Sequence, residues 1–340
     1  MEQLTKPRRI RPGDTVAVVS PAFGAVGRWP HRVERATAYL ESLGLRVRLM
    51  PNAARSEGWA SASPEERVAD LHEAFADDEV AVVLAGIGGN HANQLLPLLD
   101  FELIRAHPKV FQGYSDITVI HWALAKHAGL GTFYGPALVP ELGEFPHVLA
   151  HTDRYLRAAW FDGDPITYEP SDVWTDELLD FNTRTDLTRA RELRESEGWI
   201  TIRDGGAQGP LFGGCLETIC WHLKGSSAWI SPEGAIFLLE MSEEAPSPAY
   251  VDAYLTDLEQ LGVFDAAAAL IIARPYGYTA EDVKVLWEVV ARRTEASGLP
   301  VLANVEAGHT DPMLTLPFGV EAEVDAQRRV LRLLDAPTTN

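Results

Sequence analysis

Residues 15–99 read, in order, TVAVVSPA (15–22), HRVERATAYLESLG (31–44), RVRLMP (46–51), SPEERVADLHEAFAD (63–77), VAVVLAGIGG (80–89) and ANQLLPLL (92–99). Short runs rich in β-branched residues alternate here with longer runs that have the apolar periodicity of helices. Strands that alternate with helices form a parallel sheet with crossover helices, and continuously apolar strands need cover on both faces. The N-terminal half of the chain is therefore predicted to be a doubly wound α/β domain.

The same strand, turn and helix order continues beyond residue 99. KVFQGYSD (109–116) leads into the helical run ITVIHWALAKHAG (117–129), and TFYGPAL (132–138) adds a further short strand. This order is Rossmann-like, and in such sheets ligands bind beyond the carboxyl ends of the strands. Functional residues are therefore expected directly after strands.

Residues 140–206 interrupt this order. They contain four prolines and three separate tryptophans, Trp160, Trp174 and Trp199. Between residues 164 and 204, 11 acidic side chains stand against five basic ones. A long irregular connection is usually either disordered or functional, and the tryptophans favour a functional one.

Strand and helix patterns return after this connection, in GAIFLLEMSEE (234–244), PAYVDAYLTDLEQLG (248–262), AAALIIARP (267–275) and AEDVKVLWEVVARRTEASG (280–298). They predict a second, C-terminal α/β domain with a strand-rich end. The predicted boundaries are residues 1–145 for the N-terminal domain, 146–206 for a linker with a loop over the site, and 207–340 for the second domain.

The charge of the chain excludes some classes of partner. Its 340 residues carry 29 basic and 49 acidic side chains, a formal net charge of −20. Residues 1–150 account for −3 of this charge and residues 151–340 for −17. Nucleic acids and anionic membrane surfaces are bound by clustered basic groups, so neither is an expected partner.

The sequence also predicts the compartment and the use of its two cysteines. No run approaches the ~20 apolar residues that span a bilayer, and no apolar stretch near the start resembles a signal peptide. A soluble, cytoplasmic protein is therefore expected. Cys215 and Cys220 alone can form neither a disulfide framework nor a four-ligand zinc site, so we expect them to be small core residues.

The first candidate functional residue is Ser115, in Gly113-Tyr114-Ser115-Asp116 between an apolar strand and a helix. A serine at such a turn presents its hydroxyl above the sheet, and the following amide can stabilise an oxyanion. The full G-x-S-x-G elbow is absent, because Ile117 stands in place of its second glycine. Ser115 or Asp116 as an ordinary helix cap therefore remains an alternative.

The second candidate is the turn GIGGN (86–90), which follows another apolar strand. Successive glycines let backbone amides approach a phosphate or an oxyanion, but they also form tight structural turns. His91 replaces the third glycine of a dinucleotide fingerprint, and the ending of a P-loop is absent. All three uses of the turn remain open at this point.

Glu240 and His309 are the remaining candidates. Glu240 ends the apolar run AIFLLE, where a carboxylate can orient a partner, whereas Glu243 and Glu244 are expected at the surface or at the start of the next helix. His309 lies in the loop GHTDP (308–312), as general bases often do, although a structural histidine is the commoner case. Ser115, His309 and Glu240 together supply the parts that serine hydrolysis needs.

Six stretches together carry a family resemblance. These are GDTVAVVSPA (13–22), IGGNHANQLLPLLD (87–100), FQGYSD (111–116), GPLFGGCLETI (209–219), FLLEMSEEAPSPAYVDAYLTDLEQLGVFD (237–265) and HTDPMLTLPFGVEAEVD (309–325). In this order they resemble the LD-carboxypeptidase family of serine peptidases. The resemblance covers nearly the whole chain, and the ordered set is far more specific than any single stretch.

The resemblance implies roles for the candidates. Ser115 would be the nucleophile of a triad that Glu240 and His309 complete, in an active site between the two domains. Backbone amides of Gly88 or Gly89 and of Asp116 would form the oxyanion hole. The resemblance further implies a cytoplasmic homodimer without a metal ion, and no cofactor is expected.

Two branches of the family differ in substrate. One removes the terminal D-alanine of murein tetrapeptides in peptidoglycan recycling, and the other resembles the microcin C self-immunity peptidases, which inactivate toxic aminoacyl-nucleotide analogues. VWTDELLDF (173–181) resembles the second branch, in which Trp174 would stack on the nucleobase, although Trp174 could instead only pin the loop to the body. Phe181 replaces a second tryptophan, and Cys215, a predicted substrate contact, replaces a common asparagine. The expected small-molecule substrate is thus an aminoacyl nucleotide or a short peptide.

Overall fold

Residues 3–340 are described by the structure, a computed structural model with one six-stranded sheet, one eight-stranded sheet and a two-stranded ribbon. The strands are β1 (Thr15–Val19), β2 (Arg46–Leu49), β3 (Val80–Ala85), β4 (Val110–Gly113), β5 (Thr132–Tyr134), β6 (Thr167–Tyr168), β7 (Val173–Trp174), β8 (Arg194–Glu195), β9 (Ile200–Arg203), β10 (Gly206–Cys215), β11 (Ile236–Glu240), β12 (Ala269–Ala273), β13 (Val301–Val305), β14 (Leu316–Phe318), β15 (Glu321–Asp325) and β16 (Val330–Leu333).

The α-helices are α1 (Ala25–Arg28), α2 (Pro30–Ser42), α3 (Pro64–Ala76), α4 (Phe101–Ala106), α5 (Thr118–Ala123), α6 (Ala150–Arg157), α7 (Leu216–Thr218), α8 (Pro248–Gln260), α9 (Val263–Ala266) and α10 (Ala280–Arg293). Helices α5, α6 and α7 continue into π-helical turns at Leu124–Ala128, Ala158–Asp162 and Ile219–Leu223. A further π turn covers Leu138–Leu142, and 3₁₀ turns cover Ala92–Leu98, Ser115–Ile117 and Thr185–Leu187.

The first sheet has the order β14-β5-β4-β3-β1-β2. Strands β1 to β5 are parallel to their neighbours, and only β14 is antiparallel. Every residue of β1, β3 and β4 is buried, as the continuous apolar runs predict. The strand order reverses between β1 and β3, which is where a doubly wound sheet opens a crevice for ligands. The predicted fold class is confirmed.

Helix α3 shows how local sequence sets the helix boundaries on this sheet. The Ser63 side chain accepts a hydrogen bond from the Glu66 amide, and the Glu66 carboxylate accepts one from the Ser63 amide. This capping box satisfies two amides that the first turn leaves free, and Pro64 stands at a position where no amide is needed. The helix buries Leu71 and Phe75 against the sheet.

The second sheet has the order β6-β16-β15-β10-β11-β12-β13-β9. Strands β10 to β13 run parallel to one another, and antiparallel strands flank them on both sides. The predicted linker 146–206 supplies β6 and β9 to this sheet, whereas β14 of the predicted second domain pairs with β5 of the first sheet. Strand pairing thus crosses the predicted domain boundaries. The boundaries themselves remain a prediction.

Helix α5 and strand β10 join the two sheets. The Trp122 indole donates a hydrogen bond of 2.8 Å to the Gly213 carbonyl, and the Cys215 amide donates one of 3.0 Å to the Thr118 hydroxyl. Gly214 has a φ of +139°, and a Cβ on it would lie 2.5 Å from the Thr118 side chain. Close approach of the backbone at this glycine therefore brings the carboxyl ends of the two sheets together.

Two expectations from composition can be compared with the structure. Cys215 and Cys220 are buried and unbridged, as expected for core residues. Across residues 3–340, no helix combines the length and the apolar character that crossing a membrane requires.

Candidate active site

Ser115 lies at the turn between β4 and α5, at the carboxyl end of the first sheet. Its φ of 63° is left-handed, which is unfavourable for a residue with a Cβ by roughly 1–2 kcal/mol. Such strain is typical of a serine that must project above a sheet. Gly113 lets the preceding strand pack closely, since a Cβ there would lie 2.9 Å from the Ala85 Cβ.

His309 follows β13 and reaches Ser115 from the second sheet. Its Nε2 lies 3.1 Å from the Ser115 Oγ, and its Nδ1 lies 2.9 Å from the Oε2 of Glu240. Gly308 has a φ of +75°, and a Cβ at this position would collide with the Glu240 carboxylate. The glycine therefore permits the contact between the histidine and the carboxylate.

Tyr134 closes these contacts into a ring of hydrogen bonds. Its hydroxyl donates a 2.6 Å hydrogen bond to the Oε1 of Glu240 and accepts one of 3.1 Å from the Ser115 amide. Glu240 is fully buried, so both of its oxygens have partners that replace water. Sequence reasoning placed Ser115, His309 and Glu240 correctly at strand ends or in a loop, but it missed Tyr134.

Replacing Tyr134 with phenylalanine is expected to lower kcat about tenfold with little change in KM. The loss of one donor leaves a buried oxygen of Glu240 unpaired, and second partners of this kind contribute roughly 10- to 100-fold to site function. Tyr168→Phe is the matched control, because its buried hydroxyl donates to the Thr315 carbonyl at 2.9 Å and contacts no residue of the ring. Equal kcat values for the two variants would contradict the positioning role of Tyr134.

Two carboxylates act on His309. Burial lowers the pKa of the imidazole, but Glu240 and Glu243 outweigh burial and raise its pKa well above the ordinary value. Glu243 Oε2 lies 2.7 Å from Nε2, the same nitrogen that contacts Ser115. Burial raises the pKa of Glu243, but the contact with His309 lowers it to about 2. Glu243 therefore lies at the surface, as expected from the sequence, and it also contacts the histidine.

Replacing Glu243 with glutamine is expected to lower the pKa of His309. The neutral side chain no longer stabilises the imidazolium, so His309 becomes a free base at lower pH and the acid limb of kcat/KM moves to lower pH. NMR titration of the histidine ring protons, with the His309 signal assigned from a His309→Gln spectrum, measures the shift directly. Glu244→Gln changes a neighbouring exposed carboxylate and is the control; identical His309 titrations in all three proteins would contradict this prediction.

The glycine turn after β3 lies against the Ser115 turn. A Cβ on Gly88 would lie 2.8 Å from the Ser115 Cβ and 3.3 Å from the Asp116 amide nitrogen. Gly89 has a φ of +147° and packs against Phe23. Gly88 and Gly89 line the same cavity as Ser115.

The carboxylate of Asp116 fastens this glycine turn to the Ser115 turn. Its Oδ2 accepts hydrogen bonds of 2.8 Å from the amides of both His91 and Ala92. Burial raises the pKa of Asp116, while the two amides oppose that rise. The side chain thus holds the two turns together, which is a different contact from the helix cap considered from sequence.

A cavity of about 600 Å³ opens above Ser115 and His309. Its aromatic lining residues are Phe23, Trp29, Trp59, Tyr114, Phe181 and Tyr276. Phe181 lies edge-on to Trp29 with ring centroids 5.3 Å apart, and the Arg32 guanidinium lies 4.1 Å from the Phe181 centroid. A pocket of this size with flat apolar walls suits a small organic ligand.

Residues 175–186 cross this cavity from the second sheet to the first. At one end, Thr175 and Asp311 exchange backbone hydrogen bonds of 2.7 and 2.9 Å. At the other end, the buried carboxylate of Asp186 receives a 2.7 Å hydrogen bond from Arg35. Both ends of the segment are therefore anchored, and its middle forms one wall of the cavity.

Trp174 lies elsewhere, contrary to the predicted substrate contact. Its indole contacts two guanidinium groups, those of Arg194 at 4.7 Å and Arg274 at 5.4 Å. Arg274 is itself held by the buried Glu306 at 2.7 Å. Trp174 is not among the cavity-lining residues, so the structure agrees with the alternative in which it pins the loop to the body.

Cys215 is also absent from the cavity lining. It is 1% exposed, and its Sγ lies 3.6 Å from the carboxylate of Glu217. The prediction of a direct substrate contact at Cys215 does not agree with this position.

The described residues, 3–340, contain no group of three or more metal-ligating side chains placed to hold an ion. What the site does contain is a serine hydroxyl, an imidazole and a carboxylate in hydrogen-bonded order, beside backbone amides and a small-molecule cavity. Fold and site together define the class of a two-domain α/β serine hydrolase.

Comparison with known proteins gives the family. Residues 16–135 match the LD-carboxypeptidase N-terminal domain, and residues 208–324 match the LD-carboxypeptidase C-terminal domain. The chain belongs to the LD-carboxypeptidase family and is a serine peptidase.

Individual relatives span nearly the whole chain. A Bacillus subtilis (strain 168) protein named as a carboxypeptidase, YocD, is 32% identical over 94% of this chain and 95% of its own. A protein of the same organism designated a probable murein peptide carboxypeptidase is 31% identical over 95% of this chain and 92% of its own. The microcin C7 self-immunity protein MccF of Escherichia coli is 28% identical over 95% of this chain and 94% of its own.

A solved structure of MccF has the same fold. MccF in complex with glutamyl sulfamoyl guanosine superposes with a TM-score of 0.89 at 27% identity, over 98% of this chain and 99% of that one. The likeness therefore extends across both domains.

Proposed function

We propose that the protein uses Ser115, His309 and Glu240 as a catalytic triad to hydrolyse an amide-type bond in an aminoacyl-nucleotide substrate. The observation that carries this proposal is the hydrogen-bonded order of the three side chains, with contacts of 3.1 and 2.9 Å on the two nitrogens of one imidazole. Each side chain comes from a different strand end, and this arrangement fits nucleophilic catalysis.

In the proposed reaction, His309 Nε2 accepts the proton of the Ser115 hydroxyl as Oγ attacks the substrate carbonyl. His309 then donates that proton to the leaving nitrogen, and the acyl group remains on Ser115. A water molecule releases the acyl group by the reverse sequence of proton transfers. Glu240 accepts the Nδ1 hydrogen bond throughout and stabilises the imidazolium.

The proposed oxyanion hole consists of backbone amides beside Ser115. The Asp116 amide follows the nucleophile at the start of a helical turn, and Gly88 or Gly89 supplies the second donor. The proposal is supported by the contact of Gly88 with both Ser115 and the Asp116 amide nitrogen. Fixed donors of this kind are among the largest contributions to acyl transfer.

Support for a nucleotide-like leaving group comes from the cavity and from the relatives. MccF binds glutamyl sulfamoyl guanosine and aspartyl sulfamoyl adenosine in its solved complexes. Here the aromatic walls formed by Trp29, Trp59 and Phe181 offer flat surfaces on which a base can stack. In the proposed complex these residues stack on the base, which is the role predicted from the sequence for Trp174.

A murein peptide is the second candidate substrate. The relative designated a probable murein peptide carboxypeptidase is 31% identical to this chain, compared with 28% for MccF. The same triad could remove a terminal D-alanine, because a carboxypeptidase needs the same nucleophile and base.

Turnover of two substrates, supplied separately, tests the proposal. Purified protein is incubated with an aminoacyl sulfamoyl adenosine or with a murein tetrapeptide, and products are measured by mass spectrometry against a Ser115→Ala blank. We expect release of the free amino acid from the first compound. Turnover of the tetrapeptide alone would support the second candidate, and turnover of neither would contradict the proposed hydrolase function.

We also propose a cytoplasmic homodimer, as the family resemblance implies. Size-exclusion chromatography with light scattering is expected to give twice the 37.3 kDa mass of one chain. A single species with the mass of one chain would contradict the dimer.

A further inference from the structure

The cavity lining is strongly acidic. Seven acidic side chains face two arginines, Arg32 and Arg191, and the acidic residues are Glu141, Glu144, Glu177, Asp180, Asp186, Glu243 and Asp311. Burial, with a contribution from Asp311, raises the pKa of Glu141, which favours its uncharged form. The remaining carboxylates still outnumber the guanidinium groups, and this field disfavours an additional negative charge on the acyl residue of the substrate.

Both arginines are already paired. Arg191 Nη2 lies 2.8 Å from Glu144 Oε2 and 2.8 Å from Asp311 Oδ2. Arg32 Nη1 lies 3.2 Å from Asp186 Oδ2, and the Arg32 side chain is only 2% exposed. A carboxylate on the acyl residue could pair with either guanidinium only by breaking one of these buried ion pairs, and that is strongly unfavourable.

Two further carboxylates also have partners within the chain. Glu177 receives a 2.9 Å hydrogen bond from Arg189, and Asp180 accepts one of 2.8 Å from the Asn182 amide. These contacts hold the segment that crosses the cavity in place. Neither carboxylate lies against Ser115 or His309.

Glu243 differs from all the other carboxylates of the lining. Its side chain is 59% exposed, and its ion pair is with His309 Nε2 at 2.7 Å. Among residues 3–340, no lysine or arginine forms an ion pair with it. Because His309 Nε2 also lies 3.1 Å from the Ser115 Oγ, Glu243 stands beside the place where the scissile carbonyl must bind.

We infer that Glu243 binds an ammonium group on the acyl side of the substrate, so that the enzyme prefers aminoacyl or peptidyl substrates with a cationic acyl residue. The inference rests on the proposed function and names the substrate class of the same site. An ammonium ion in this position draws Glu243 away from His309 Nε2, which must be free to accept the Ser115 proton. Binding of the substrate to Glu243 and the release of His309 as the general base are thereby linked.

The ammonium can be the α-amino group or the side chain of the acyl residue, and a set of matched compounds distinguishes these sources. The probes are lysyl, norleucyl, glutamyl and Nα-acetyl-norleucyl sulfamoyl adenosine. Their kcat/KM is measured with the wild type, and their Kd is measured by calorimetry with Ser115→Ala. Binding to Ser115→Ala keeps the test independent of turnover.

We expect kcat/KM and affinity to be roughly tenfold or more higher for the lysyl than for the glutamyl compound, since a charge-assisted contact is gained and a repulsion avoided. A lysyl advantage over norleucyl identifies the side-chain ammonium. If these two compounds are equal and acetylation weakens binding instead, the α-ammonium is the group bound. The advantage should disappear in Glu243→Gln and reverse in Glu243→Lys, but persist in Glu244→Gln.

Three outcomes would overturn the inference. The first is binding by Ser115→Ala that neither the lysyl side chain nor a free α-amino group strengthens, and the second is a charge preference unchanged in Glu243→Gln. The third is a uniform loss of kcat for all four compounds in Glu243→Gln, which would assign Glu243 only to the positioning of His309. Selective binding of the lysyl compound without turnover by the wild type would instead contradict the proposed hydrolysis and retain the inference.

Discussion

Replacing Ser115 with alanine is expected to lower kcat by roughly 10⁴-fold or more, with KM changed little. The substitution removes the hydroxyl that lies 3.1 Å from His309 Nε2, and the proposed acyl intermediate cannot form without it. The proposed oxyanion amides and the cavity remain, so a small residual rate above that of water is expected. The measurement is turnover of whichever of the two candidate substrates the wild type cleaves.

Ser42→Ala is the matched control for this prediction. Ser42 is an exposed serine at the end of α2, and its hydroxyl donates to the Tyr39 carbonyl. Its replacement should leave kcat unchanged, and thermal unfolding should show that both variants are folded. A Ser115→Ala protein that is folded and retains wild-type turnover would refute the assignment of Ser115 as the nucleophile.

Replacing Glu240 with glutamine is expected to lower kcat by roughly 10³- to 10⁴-fold. Glutamine has the shape of glutamate, but it provides no negative charge 2.9 Å from the Nδ1 of His309. The imidazolium that forms during the attack is therefore less stable, and the buried amide must also rearrange its contact with Tyr134. The measurement is kcat across a pH range, since the loss of Glu240 also lowers the pKa of His309.

Asp70→Asn serves as the control for Glu240→Gln. Asp70 is equally buried and accepts a hydrogen bond from the Asn52 side chain, on a helix that carries none of the three proposed triad residues. This variant should lose stability while it keeps its turnover number. If the two variants lose kcat to the same extent, the effect of Glu240→Gln is structural and the proposed role of Glu240 fails.

The fold and much of the site follow from local patterns in the sequence. Buried strands β1, β3 and β4 are continuous apolar runs, and these patterns predict a parallel sheet whatever lies around it. Ser115, Glu240 and His309 each follow or end such a run or occupy a loop beside one. A residue at a strand end can be recognised from its neighbours in sequence alone.

Contacts between distant residues could not be predicted in this way. Tyr134 and Glu240 are 106 positions apart, and only the docking of the two sheets brings the hydroxyl to the carboxylate. Glu243 resembles any surface glutamate in the sequence, because its contact with His309 depends on how two loops approach one another. The available signal for Tyr134 was a tyrosine within the predicted strand 132–138, which follows the helix after Ser115.

Trp174 shows a second limit of reasoning from the sequence. An indole in a long acidic connection suggests an exposed ring that is free to stack on a ligand. In the structure two arginines occupy the surroundings of that ring, and one of them, Arg274, is buried through its ion pair with Glu306. The sequence contains no local sign of that pairing, because Glu306 and Arg274 lie on different strand ends.

Labelling with a fluorophosphonate, followed by peptide mapping, tests whether Ser115 is an activated nucleophile. An activated serine forms a stable phosphonyl adduct, whereas an ordinary surface serine reacts far more slowly. We expect one adduct, on Ser115, that is absent from Ser115→Ala and strongly reduced in His309→Gln. Turnover of substrate by a wild-type protein whose adduct maps to another residue, or whose labelling persists in Ser115→Ala, would contradict it.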